Sequence, residues 1–587
     1  MVTQYLCSAL VEARRKDAER YYVPEYPVYL AVCRDVAVEK LICAQQVFSS
    51  RSEVESAIEY INAIYPKILS HFAERLTTLH QYGNMAFWKR AMGLNLSFFI
   101  EAIYTKFFIF QKTFVPSYTF NLFSTPVPSF HKLDDMGKFL FETNYGNEYL
   151  FTKFIQTIFQ NLPANEHTSN VQVNINLPGK HHLPQSTDGF CKYSLVNLLR
   201  KLLSLRSPTV GLLGTGISTH HAYRLTCASL GKIQSLYAPI ITFPPRKHNI
   251  ALREALFTGF PEESSFCRFL KTILIEIFPT LYLENFADAL AQARSFWENF
   301  PNLKYIINED CIGYSLQSFL LAVAHEERHL RVYINEHNGF LYPFLNTHED
   351  RILDFVDKFL TGGRKTNNPN MISLGRLRHW YNERPAELDI DALYIDAPYW
   401  KNRRQIDGSD TFAGGANLVG LFTFFLDFFS RLSEQNISRI MYRPHPLTEI
   451  DVEQLPTELQ KYIRAMRQAD PKMPGTALLA RSRLTIYAYT NSGYVEALHN
   501  NKPCIVFYDP SRCFLSEKHA DFFDALIEAG IVVQTPQAAA ERLTQVIDDP
   551  QGWWQSASVQ RGRKAFLDKN LGDPKALFDY LVRLART

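Results

Sequence analysis

Two runs of alternating strand and helix patterns, separated by one polar stretch, constrain this chain more than any other feature. In the first run TVGLLGTG carries a strand into a glycine turn, and LKYIINED (303–310) reads as a strand. SLQSFLLAVAHEERH follows as a helix, and RVYIN is the next strand, ending in EHNG. TGGRKTNNPN (361–370) breaks the pattern. Beyond it ALYIDAPYW, ISRIMY, RLTIYAYT and KPCIVFYD read as strands, with NLVGLFTFFLDFFSRLSEQ and SGYVEALHN as helices between them. AAAERLTQVIDD and ALFDYLVRLART are helical near the end. Strands separated by helices of about ten to fifteen residues return by crossovers, so they run parallel, with helices over both faces. Two parallel sheets in tandem are expected.

Upstream the periodicity is helical. Residues 52–112 carry apolar positions at helix spacing, with Pro66 and the Tyr82-Gly83-Asn84 turn as breaks. Pro-rich punctuation from 113 to about 190 reads as an irregular connector, and YSLVNLLRKLLSL (193–205) as a helix. A chain of 587 residues exceeds what one core can organise. The expected division is a helical N-terminal section (1–120), a first Rossmann-like domain with the connector (121–370), a second (371–570), and a C-terminal helix (571–587). The apolar stretch 94–115 is interrupted by Glu101, Lys106 and Lys112, so it reads as a buried helix rather than a membrane span.

Charge and cysteine usage exclude several classes. With 62 basic and 59 acidic residues the net charge is +3, which gives no electrostatic case for nucleic acid. Any anion is expected to be bound locally. Nine cysteines without a C-x-x-C pair make neither a disulfide framework nor a zinc site and read as reduced thiols. The opening MVTQYLCSALVEARRKDAERYY turns charged too early for a signal peptide, so a cytoplasmic location is expected. Asp389-Ile390-Asp391 precedes a strand instead of ending one and is discounted as a metal motif. No metal and no cofactor are expected.

Open parallel sheets bind ligands beyond the carboxyl ends of their strands, which directs attention to the loops after Ile334, Tyr442 and Tyr489. After Tyr489, the turn Thr490-Asn491-Ser492-Gly493 opens a helix, where hydroxyls and unpaired amides meet the positive end of the helix dipole. That is a phosphate cradle; the plainer reading is an N-cap. Glu496, one turn on, could accept from a ribose or simply face solvent. After Tyr442, Pro444 and Pro446 restrict the backbone around His445, with Arg443 as an always-charged neighbour. After Ile334, Glu336 and His337 stand across the expected cleft as base candidates. Glu349 and Asp350 are a second carboxylate pair, better explained as a solvated helix start. GLLGTGIS (211–218) lacks a full dinucleotide fingerprint and reads as a tight turn.

Four stretches carry a family likeness: GNMAFWKRAMGLNLSFFIEAIYTKF, RVYINEHNGFLYPFLNTHEDRILDFVDKFLTGG, TNSGYVEALHNNKPCIVFYDP, and TPQAAAERLTQVIDDPQGWWQSASVQRGRKAF. Through them the chain resembles a family of bacterial transferases from surface-carbohydrate biosynthesis loci. More distantly it is similar to two-domain GT-B glycosyltransferases and teichoic-acid glycerophosphotransferases that share a His-Pro motif. Glu336 stands where the family has Gln, and Asn338 where it has Gly. The resemblance implies a GT-B-like α/β fold with two Rossmann-like domains facing a cleft. It implies a nucleotide-sugar donor held in the C-terminal domain by Arg443, His445, Pro446, Thr490, Asn491, Ser492 and Glu496, and catalysis by His337 with Glu336. A cytidine nucleotide, such as a CMP-linked ulosonic acid, is the expected donor. A glycan or lipid-linked acceptor of lipopolysaccharide or another surface polysaccharide is the expected partner, with peripheral association at the inner membrane. A CDP-polyol phosphotransferase and a non-catalytic nucleotide-binding protein are the alternatives.

Overall fold

The computed structural model describes residues 3–6, 18–24, 40–43, 47–115, 121–122, 129–158, 165–166, 206–215, 219–237, 247–308, 315–336, 343–364, 367–375, 387–400, 406, 408, 417–446, 448–490 and 492–587. The expected helix at 193–205, His337 with Asn338 and Gly339, and Asn491 lie outside them.

The N-terminal section is built on helix Arg51–His80. Ser50 starts it by accepting the Glu53 amide, and its buried stripe (Val54, Ala57, Ile61, Tyr65, Ile68, Phe72, Leu76) keeps helical spacing. Pro66 does not break this helix, contrary to expectation. The burial of Tyr65, Ile68 and Leu69 around it outweighs one lost hydrogen bond, and the Asn62 side chain is held by Arg351 at 2.8 Å. The other expected break, the Tyr82-Gly83-Asn84 turn, is present: Gln81 and Gly83 lie in the left-handed region before Asn84 caps the next helix. A small parallel sheet of β1 (Thr3–Tyr5), β2 (Arg20–Val23) and β3 (Leu41–Cys43) adjoins these helices; it was not expected from the sequence. A two-residue pair joins β4 (Asn121–Leu122) and β5 (Asn165–Glu166).

Among the described residues, one helical run, Met85–Thr113, is long and apolar enough to cross a membrane, and most of it is buried inside the protein. Its last part, Leu94–Thr113, packs Phe99, Ile103, Phe107 and Phe110 into the core. One of the charges that interrupt it has a partner inside the core. Glu101, fully buried, meets Arg351 at 3.2 Å, and Arg351 also lies over the Tyr65 ring at 4.5 Å.

The first large sheet comprises β6 (Val210–Leu213), β7 (Ile233–Leu236), β8 (Tyr305–Asn308), β9 (Arg331–Asn335), β10 (Lys358–Thr361) and β11 (Met371–Ser373). All its pairings are parallel, in the order β11-β10-β9-β8-β6-β7. The second comprises β12 (Ile390–Ile395), β13 (Ile440–Arg443), β14 (Arg467–Gln468), β15 (Ser482–Tyr487), β16 (Cys504–Phe507) and β17 (Val532–Val533), also parallel, in the order β14-β13-β12-β15-β16-β17. The strand expected over ISRIMY begins only at Ile440, because Ser433 caps a short helix, Glu434–Ser438, just before it.

Each sheet is covered on both faces, as parallel sheets must be. One face of the first sheet shares a continuous core with the N-terminal helices. Its other face is covered by the chain's last helix, Pro574–Leu584, through Leu577 and Leu581. In the second lobe the Phe-rich helix Leu418–Ser430 and helix Pro536–Val546 cover one face, while Tyr494, Leu498, Trp554 and Phe566 build the other.

Two backbone seams join the lobes. Leu345 donates to Phe514 at 2.9 Å and Ser516 to Pro343 at 2.8 Å, so the segment that begins at Pro343 lies against the second lobe. Gly363 pairs with Leu571, and the Gly572 amide donates to Gly362 at 2.8 Å. A Cβ on Gly363 would overlap the Gly572 backbone, so the approach requires glycine.

Candidate functional site

The candidate donor site forms where three neighbouring strands of the second sheet end. Ile395, the last residue of β12, is in register with Arg443 of β13 on one side and Tyr487 of β15 on the other. The segments that leave these strands emerge side by side. The Asp396 amide donates to Arg443 at 3.1 Å and the Ala488 amide to Ile395 at 3.2 Å, which extends the pairing to the sheet edge. Register alone therefore brings the proline-flanked corner and the turn after Tyr489 together.

Alternation along β13 separates its two polar side chains. Tyr442 points into the core beneath helix Leu418–Ser430, whereas Met441 and Arg443 point to the opposite face. There the Arg443 guanidinium occupies the space left by Gly475, the first residue of helix Gly475–Arg481. Among the described residues no carboxylate or other hydrogen-bond acceptor pairs with Arg443. Burial lowers its pKa below the usual arginine value, but a guanidinium remains charged in any accessible range. Among the described residues it is a half-buried cation without a carboxylate partner.

His445 packs its ring edge-on to Tyr489, with centroids 5.8 Å apart. Burial, and then the Arg443 charge, push its pKa down to about 4, so the imidazole is neutral at physiological pH. A neutral imidazole can donate one hydrogen bond while its other nitrogen accepts. Pro446 is exposed at the outer side of the corner. Thr490 is half-buried, and helix Ser492–His499 begins two residues later, with Tyr487 fixing its first turn by donating to the Gly493 carbonyl at 2.8 Å. Glu496 is half-buried on that helix.

Sequence reasoning missed the group that supports this edge. Asp396, the residue after β12, is 1% exposed and accepts from Tyr442 and Tyr399 hydroxyls, each at 2.6 Å, and from the Ala397 amide at 2.9 Å. Burial raises its pKa to about 6 against the opposing effect of those three donors. The available signal was a lone acid closing an apolar strand, read instead as part of ALYIDAPYW. Gly475 left no signal, since its role depends on a side chain more than thirty residues away.

On the first lobe, Glu336 is buried, and its Oε2 accepts the Gly362 amide at 2.7 Å. This ties the end of β9 to the glycine seam that crosses between lobes. Asn308 and Asn335, both buried, close β8 and β9 at the same edge. Glu349 and Asp350 lie in the first turn of helix His348–Phe355, a position the sequence reading gave them. At the other end of β12, Asp389 pairs with Arg481, and Asp391 lies between Arg439 at 3.1 Å and Arg483 at 3.2 Å. These arginines hold both carboxyls below their ordinary range, together with Asp389's own amide, and tie strand starts together.

The fold defines a two-lobed α/β protein of the GT-B type, with Arg443 and His445 at the carboxyl edge of its second parallel sheet. The chain belongs to the LIC12162 family of transferases, whose sequence profile matches residues 31–577. It is therefore an enzyme of the transferase class. No curated protein matches the chain. Solved structures similar to it include the glycotransferase of kitacinnamycin, with 9% identity over 65% of this chain and 100% of that one, at a TM-score of 0.32. The spinosyn rhamnosyltransferase SpnG with spinosyn aglycone has 13% identity over 64% and 99%, at 0.31. Acinetobacter baumannii MurG has 12% identity over 65% and 99%, at 0.29.

Proposed function

We propose that this transferase is a glycosyltransferase that moves a sugar from a cytidine-nucleotide donor, such as a CMP-linked ulosonic acid, to a surface-glycan acceptor. The observation that carries the reading is the Arg443 guanidinium, half-buried beside neutral His445 with no acid partner among the described residues. A desolvated cation without a counter-ion is costly unless a ligand supplies the negative charge. A phosphate does so with geometry that a guanidinium matches.

In this reading Arg443 pairs with the donor phosphate and the neutral imidazole of His445 donates one hydrogen bond to it. The amides opening helix Ser492–His499, with Thr490 and Asn491 before them, complete the cradle. Glu496 accepts from the ribose. As the bond from the anomeric carbon to the phosphate oxygen breaks, charge gathers on that oxygen, and Arg443 stabilises it most strongly there. His337 takes the proton of the attacking hydroxyl, and Glu336 holds its strand end in place through Gly362. The acceptor enters from the first lobe, with the enzyme at the cytoplasmic side of the inner membrane.

Thermal shift with CMP, CDP and UDP, followed by calorimetric titration, tests the reading. Wild type is expected to gain stability with CMP. His445→Ala and Ser492→Ala are expected to fold and to lose that gain. Equal stabilisation of both variants by CMP would remove the site from the reading, and no response of wild type to any of the three would remove the donor.

A further inference from the structure

The corner that carries Arg443 and His445 is gripped at both ends by one short segment, Asp396–Tyr399. At the entry, the Asp396 amide donates to the Arg443 carbonyl at 3.1 Å, and the Asp396 carboxylate accepts the Tyr442 hydroxyl at 2.6 Å. At the exit, the Tyr399 amide donates to Thr448 Oγ1 at 3.1 Å, and the Glu449 amide donates to the Tyr399 carbonyl at 2.8 Å. Inside the corner, the Thr448 amide closes a turn onto the His445 carbonyl at 3.1 Å. The two grips are linked, because the Tyr399 hydroxyl donates to the same carboxylate that accepts from Tyr442.

One buried carboxylate thus sets the separation between the start and the end of the corner. Tyr399 packs edge-on against Phe422 at 5.1 Å, and Tyr442 stacks with Tyr394 at 6.1 Å, so both phenols are held by the core from their far sides. Burying a carboxyl group to 1% exposure carries a desolvation penalty that an apolar side chain would avoid. Its position, equidistant from two phenols on either side of a proposed ligand-binding corner, is what an orienting group requires.

We propose that Asp396 is a positioning residue: through Tyr442 and Tyr399 it fixes the corner from Arg443 to Glu449, and so the directions of the Arg443 and His445 side chains. The inference rests on the donor-site reading for its purpose, but the fixing itself is testable without any ligand. Asp396 touches no substrate in this scheme and acts only through the corner.

The experiment compares wild type with Asp396→Asn, Tyr442→Phe and the double variant. Amide exchange of the 443–450 peptide and the histidine 13C signal of His445, assigned with His445→Ala, are read without ligand. CMP affinity is then measured by titration. In the single variants, exchange of 443–450 is expected to quicken about tenfold and the His445 signal to move, while exchange in β15 and β16 stays as in wild type. CMP affinity is expected to fall about tenfold with little change in melting temperature, and the double variant to lose no more than the stronger single one, as residues acting as one unit do. Should Asp396→Asn fail to fold, Tyr442→Phe, which removes one hydroxyl, carries the comparison.

Wild-type exchange and an unmoved His445 signal in Tyr442→Phe would overturn the proposal whatever CMP does. A loosened corner with undiminished CMP affinity would overturn the positioning role. A loosened corner in a protein whose wild type does not bind CMP would support the fixing by Asp396 and overturn the donor reading instead.

Discussion

The Arg443 guanidinium fills the position that a side chain at residue 475 would take: a methyl group on Gly475 would overlap Nη1 of Arg443. The absence of a side chain there lets a charged group lie flat on the first turn of helix Gly475–Arg481, at the carboxyl edge of the second sheet. From this relationship Gly475→Ala is expected to displace the guanidinium. Alanine suits a helix better than glycine by up to about 1 kcal/mol, so stability should hold or rise slightly. Nucleotide affinity should fall by about tenfold or more. Calorimetric titration with CMP beside thermal melting separates the two; unchanged affinity would show that Arg443 need not lie where it does.

Arg443→Met tests whether this half-buried cation is kept for a ligand. Removing a half-buried charge that has no acid partner among the described residues, and substituting an apolar chain of similar length, should leave the fold unchanged or stabilise it by about 1 to 2 kcal/mol. CMP-induced stabilisation should vanish. A variant destabilised by more than this in urea titration would mean that Arg443 serves the fold.

Acid should act on Asp396 and His445 in opposite directions. Asp396 has its pKa raised from 3.8 to about 6, so its contribution to stability is present below about pH 4 and lost as pH rises through 6. His445 has its pKa lowered from 6.5 to about 4, so its contribution is present above pH 6.5 and lost as pH falls through 4. Each is on the order of 3 kcal/mol, and over the shared window they nearly cancel. His445→Gln should therefore gain stability relative to wild type between pH 6.5 and 4, and Asp396→Asn should lose it. Melting temperatures across that range check both signs; parallel curves for all three proteins would refute the opposition.

Glu336 offers a separation of structural from chemical roles. Its Oε2 holds the Gly362 amide, and the Gly362 carbonyl in turn accepts from Gly572. Glu336→Ala leaves a buried amide unsatisfied and should cost about 1 to 3 kcal/mol, while Glu336→Gln keeps an acceptor and should cost less. Urea denaturation measures both. Loss of turnover in Glu336→Gln at unchanged stability would instead give this carboxylate a part in the proton transfer.

Much of the architecture was legible from periodicity. The strands ending at Asn335, Ile395, Tyr487 and Phe507 and the helices between them follow from apolar runs and crossover spacing, because a strand buried on both faces must be apolar throughout. Pro66 was misleading for a physical reason: a proline costs a helix one hydrogen bond, and Arg51–His80 recovers more by burying the residues around it. The strands β1 to β3, three or four residues long, stand outside both runs of strand and helix alternation, and the sheet they form was not read from the sequence.

At the site, the sequence by itself determined which residues stand at strand ends: Arg443, then His445 between two prolines, and the hydroxyl-bearing turn after Tyr489. Tertiary structure alone decided that these ends share one edge, since the parallel register Ile395 to Arg443 and Ile395 to Tyr487 joins segments 48 and 92 residues apart. It also decided that Asp396 is buried between two phenols and that Gly475 makes room for a guanidinium. Local pattern records the burial of each segment separately; which side chains meet is set by sheet order and register, and these minimise free energy only for the assembled chain.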